Sequence, residues 1–115
     1  MSTYFLADFG FTPWYVDFAN FLAFNILPYG FSYQQKKKFI FDVKHYLWEK
    51  SYLFKVCVDN IIRKCVPEEE MRSILHYCHD RESGRHFGTT RIATKVLQSG
   101  FYWPSLFKDA HKYMS

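Results

Sequence analysis

"ILHYCHDRESGRHFGTTRIATKVLQSGFYWPSLFKDAHKYM", residues 74–114, decides how this chain folds. Met71, Ile74, Leu75 and Cys78 fall at i, i+3, i+4 and i+7, which predicts a helix ending near His79. Pro67 and the acidic run Glu68, Glu69 and Glu70 suit its start, with a preset φ and negative charge at the positive end of the dipole. "DRESGRHFG" (80–88) reads as a turn. Thr89 or Thr90 can cap a second helix, with Ile92, Ala93, Val96 and Leu97 inward and Gly100 as its stop. Pro104 opens a third, with Leu106, Phe107, Ala110 and Tyr113 inward.

Upstream, the helical pattern begins at Trp14. Phe18, Phe21 and Leu22 form one face, and Pro28 with Gly30 ends it. Ser32 can cap a second helix running to about Trp48, with Phe39, Val43 and Tyr46 as its stripe. Lys36, Lys37 and Lys38 open that helix and read as a solvated face, with a phosphate contact as the alternative. "SYLFKVCV" and "IIRKCV" flank Asp59-Asn60 and predict a β-hairpin over 51–66. A two-residue loop pairs Val58 with Ile61, Cys57 with Ile62 and Phe54 with Cys65. It sets Lys55 opposite Lys64 and puts Cys57 and Cys65 on opposite faces, which excludes a disulfide between them. The expected order is an irregular segment (1–13), an extension of two helices and a hairpin (14–66), and a helical bundle (67–115).

Composition narrows the class. The chain has 115 residues, 49% hydrophobic and 22% aromatic, which is too apolar for a disordered segment. A net charge of +4 favours an anionic partner, of which nucleic acid is the commonest. Three cysteines without clustered spacing argue against a secreted disulfide framework, and no signal-peptide pattern opens the chain. The longest uncharged run, 18–35, carries asparagines, glutamines, Pro28 and Gly30, so it is not a membrane span. An intracellular location, nucleus or cytoplasm, is expected. No phosphate-cradling glycine loop and no nucleophile motif occurs, and no catalytic residue is expected.

Five histidines remain: His45, His76, His79, His86 and His111. His45 falls on a polar face. His79 and His86 form an H-x6-H spacing, which by itself fits either two loop histidines or two metal ligands. It gains force beside a C-x2-C pair, and the chain has none. His76 or His111 as a further ligand stays open.

From Trp14 onward the chain resembles the segment between ribonuclease H and the integrase core of plant gypsy-type LTR retrotransposon polyproteins. "PWYVDFANFL" (13–22), "KKFIFDVKHYLWEKSYLFKVCVDNIIRKCVPEEEM" (37–71) and the 74–114 stretch carry the resemblance in order. It implies a mainly α fold, the small helical bundle of the integrase zinc-binding domain, preceded by two helices and a β-hairpin. It implies an H-H-C-C ligand set with His79 and His86 as its histidines, Gly88 as the family glycine and Trp103-Pro104 as the family Trp-Pro pair. The family cysteines follow the last helix and are expected just past Ser115, so the site is expected to be half complete here, with zinc weakly held or absent. The resemblance implies support of integrase multimerisation and binding of retroelement DNA ends, with Arg81, Arg85, Arg91, Lys95 and Lys108 as candidate phosphate contacts. The acidic triad belongs to the catalytic core, so the chain is expected not to be an enzyme. No membrane or small-molecule partner is expected. The alternatives are a metal-free helical module binding DNA or protein, and an inert pseudogene product.

Overall fold

The structure is a computed structural model and describes residues 12–81 and 89–114. The chain divides into two units, Met1–Ile62 and Arg63–Ser115. Five helices and four strands occur among the described residues, so the protein is mainly helical with a strand hairpin.

In the first unit, α1 (Val16–Phe24) is followed by α2 (Tyr33–Val43), β1 (Tyr46–Glu49) and β2 (Tyr52–Val56). Asn25, at φ 60°, ends α1 in the left-handed region, its N–H donating to Phe21 O. Ser32 starts α2 with a reciprocal cap: Gln35 N–H donates to Ser32 Oγ at 3.2 Å, and Ser32 N–H donates to Gln35 Oε1 at 2.8 Å. Lys38 pairs with Asp42 at 2.9 Å and Lys37 lies 5.6 Å from the Tyr33 ring centroid. The core is aromatic. Phe18 stacks on Tyr46 at 4.5 Å and on Phe39 at 5.1 Å, and Phe21 and Phe31 meet Phe39 edge-on. Ala19, Val43 and Leu53 are buried with them.

Two expectations are corrected here. The helix expected to reach Trp48 stops at Val43, and residues 46–49 form β1, antiparallel to β2 with Leu47 opposite Phe54 and Trp48 opposite Leu53. Tyr46 stays buried, as the helical stripe required, but from a strand. Tyr, Leu and Trp at 46–48 suit a pleated, half-buried surface. The turn that closes this hairpin is Lys50-Ser51, at φ 51° and 70°, a pairing of positive φ values that Asn-Gly usually supplies. Neither residue announces it.

The second correction is register. The Cys57 carbonyl accepts from Asn60 N–H at 2.8 Å, and Cys57 N–H donates to the Ile61 carbonyl at 3.0 Å. The loop is therefore Val58-Asp59-Asn60, with Asn60 at φ 67°, and not the two-residue loop expected. Asp59 Oδ1 accepts from Ile61 N–H, which holds the wider loop. Cys57 faces Ile61, one position from the expected pairing, and the register that set Lys55 opposite Lys64 falls with it. The three cysteines are free thiols.

β3 (Ile62–Cys65) begins at the boundary, and the second unit continues with α3 (Glu68–Arg81), α4 (Thr89–Gln98), β4 (Phe101–Tyr102) and α5 (Leu106–Met114). The three helices pack on one another. β4 runs parallel to β3, with Lys64 opposite Phe101 and Cys65 opposite Tyr102. Gly100, at φ 93°, turns the chain out of α4 into β4. The core is Cys65, Val66, Leu75, Cys78, Ile92, Ala93, Val96, Trp103, Leu106 and Ala110. Phe107, expected inward, is 50% exposed. Leu106 and Ala110, four positions apart, take the buried face of α5 instead, and Phe107 points about 100° round the helix from Leu106.

Candidate metal centre

The candidate ligands meet the fold at the end of α3. Leu75 and Cys78 bury one face of that helix. Arg72, His76 and His79, at i, i+4 and i+7, form an adjoining stripe. On α5, Leu106 and Ala110 are buried, and Tyr113 continues their line. Tyr113 therefore reaches α3. Its hydroxyl is 3.0 Å from His76 Nδ1, with the donor set by the histidine tautomer. The Arg72 guanidinium lies 5.1 Å from its ring centroid, and the His79 ring meets it edge-on at 5.9 Å. His79 is half-buried at the junction of the last turns of α3 and α5.

His86, Arg85 and Gly88 lie outside the described residues, as does the Arg81 side chain. Among the described residues, no three His, Cys, Asp or Glu side chains converge to hold a metal ion. The donor chemistry of His79 fits one corner of a zinc site, an imidazole at an ordered helix end. His76 turns its Nδ1 to Tyr113. His111 is exposed on α5, and His45 is exposed beside Phe41.

The basic candidates are spread over the unit. Arg91 and Lys95 stand one turn apart on α4, Arg91 exposed and Lys95 half-buried, while Lys108 is exposed on α5.

Three structural supports of this unit were not legible from residue types. Trp103, 1% exposed, donates its indole N–H to Asp109 Oδ2 at 2.8 Å, and Ser105 Oγ donates to the same oxygen at 2.8 Å. In the sequence Asp109 is one of several scattered acids. Its spacing of six from a tryptophan across Pro104 was the available signal. Arg63, 6% exposed, donates from Nε to the Leu97 carbonyl at 2.8 Å, closing the C-terminal end of α4. Tyr113, expected inward as an apolar residue, reaches α3 with both its ring and its hydroxyl. Asp109→Ala should destabilise this unit by about 1–3 kcal/mol, the cost of a buried indole N–H left without its acceptor. Urea unfolding followed by circular dichroism measures it, and a cost near zero would show that the latch carries no stability.

A family model for the integrase zinc binding domain matches residues 66–115. Gypsy retrotransposon integrase-like protein 1 of Homo sapiens is 33% identical over 73 residues, covering 62% of this chain and 14% of that protein. The protein of the same name from Macaca fascicularis is 35% identical over 80 residues, covering 68% of this chain and 14% of its own length. The Mus musculus protein is 33% identical over 73 residues, with 62% and 14% covered. The chain thus spans about a seventh of the length of these curated relatives. No solved structure matches it. The family match covers the zinc-binding domain and not a catalytic core. No helix among the described residues is long and apolar enough to cross a membrane. The family model and the gypsy integrase-like relatives together identify residues 66–115 as an integrase zinc-binding domain region.

Proposed function

We propose that this chain is a non-catalytic, intracellular fragment of a retrotransposon polyprotein. Residues 67–115 are its integrase-type zinc-binding module and residues 14–66 an extension. His79 and His86 supply two of four zinc ligands, and the module serves integrase multimerisation and the gripping of retroelement DNA ends. The observation that carries this reading is the position of His79, half-buried where α5 ends against α3. The family resemblance implies a cysteine pair after α5, the helix whose Tyr113 ring meets that imidazole at 5.9 Å. Structural zinc is almost always four-coordinate, so two imidazoles alone hold it weakly. Zinc titration of the chain tests the ligand assignment. Binding should be weak, and His79→Ala and His86→Ala should each remove most of what remains. Equal binding by the variants and the parent would sink the assignment.

For DNA, Arg91, Lys95 and Lys108 supply phosphate contacts and not base reading. Affinity for a short duplex should fall steeply between about 50 and 200 mM salt, with a log–log slope near −0.9 per phosphate neutralised. Replacing the three by alanine should flatten that slope by two to three such steps, read by fluorescence anisotropy. An affinity indifferent to salt in the parent chain would refute phosphate binding and favour a protein-binding module.

A further inference from the structure

Tyr113 makes more directed contacts than the last turn of a small helix requires. Three successive positions on one stripe of α3 converge on it: Arg72 over the ring at 5.1 Å, His76 Nδ1 at the hydroxyl at 3.0 Å, and the His79 ring at 5.9 Å, inclined by 68°. Leu106 and Ala110, buried on the same face of α5, bring Tyr113 to that place. We infer that Tyr113 is the positioning residue for His79. Its hydroxyl and the overlying guanidinium fix the phenol ring on α3, and the fixed ring confines the His79 imidazole.

The inference rests on His79 being a zinc ligand, since that is what makes its orientation matter. A half-buried imidazole at a helix end, left without a neighbour, exchanges between rotamers. A ring packed against it narrows that choice before any metal arrives. Outer-shell partners that orient a ligating histidine commonly control metal affinity by 10–100-fold. Here the contact is made by a ring and not by a hydrogen bond, so the lower end is expected. The hydroxyl contributes one step removed, through His76, and the two contributions separate by substitution.

The test reads histidine ring resonances in the metal-free chain by NMR, followed by zinc titration of the same samples. Tyr113→Phe should shift the His76 nitrogens, weaken but retain the His79–ring cross-peaks, and lower zinc affinity by only a few-fold. Tyr113→Leu should abolish those cross-peaks, move the His79 resonances and lower zinc affinity about tenfold. Unchanged His79 resonances and unchanged affinity in Tyr113→Leu would overturn the inference. If Tyr113→Leu loses helicity in α5 by circular dichroism, Tyr113→Phe decides alone, and unmoved His76 and His79 resonances there would overturn it. His79→Ala, titrated alongside, separates the two claims. Unaltered zinc binding by that variant overturns the ligand reading, whereas the metal-free His79 resonances report on the Tyr113 contact whatever the zinc result.

Discussion

Trp103→Ala should unfold the second unit under conditions where the parent chain is folded. The residue is 1% exposed, and its indole N–H and its carbonyl bond to Asp109 and Leu106 of α5. Truncating a buried tryptophan to alanine costs about 3–5 kcal/mol in lost transfer energy and residual cavity. It also leaves Asp109 without the indole donor that Oδ2 now receives at 2.8 Å. A unit of this size has only about 3–8 kcal/mol in total. The loss is therefore comparable with the whole. Amide hydrogen exchange resolves it by region: protection in α4 and α5 should collapse, while Leu53 and its neighbours in the first unit report on that unit separately. Retained protection in α4 and α5 would show that the indole is not the keystone its burial implies. Trp103→Phe should cost less, because a phenyl ring keeps much of the apolar bulk while the indole N–H and part of the ring are lost.

The second large effect concerns zinc. Joining a segment with a Cys-x2-Cys pair after Ser115 should convert weak zinc binding into tight, one-to-one binding. Complete four-ligand structural sites bind with about 10–16 kcal/mol of apparent free energy at neutral pH, and much of that becomes folding free energy. Two imidazoles reach only a small part of it. Free zinc at about a thousand times the dissociation constant should add about 4 kcal/mol to the extended chain's stability. That is read as a rise in melting temperature, reversed by chelator. Thiolates and neutral imidazoles are the binding forms, so affinity should weaken as pH falls. In the extended chain, His79→Ala or His86→Ala should return binding to the weak level. An extension that leaves affinity and melting temperature unchanged would favour a metal-free module over the zinc reading.

What could be read directly was local. The starts of α2 and α3 follow from Ser32 and from Pro67 with Glu68–Glu70. The stop at Gly100 follows from the one residue type that enters φ 93° without cost. The apolar stripes of α3 and α4 found Leu75, Cys78, Ile92, Ala93 and Val96, all buried. These signals lie within a few residues of the positions they govern, so residue identity carries them. The resemblance of the 74–114 stretch identified the zinc-binding family, and the match over 66–115 agrees.

Tertiary structure decided the rest. Residues 46–48 suit a helix end and a strand equally, and pairing with β2 settled them as β1. The loop at 58–60 differs from the expected one by a single residue, and only the hydrogen bonds of Cys57 with Asn60 and Ile61 reveal it. Two residues of β4 are too few for any periodicity, and they form a strand only because β3 lies beside them. Asp109 became the acceptor of the Trp103 indole through the turn at Pro104 that folds α5 back on it, and Tyr113 met Arg72, His76 and His79 because packing brings positions far apart along the chain within reach. The sequence by itself determined the helices of the second unit and marked His79 as a candidate ligand. Only the packing of α5 on α3 decided what surrounds that imidazole, since such contacts join residues more than thirty positions apart, and no local pattern encodes which will meet.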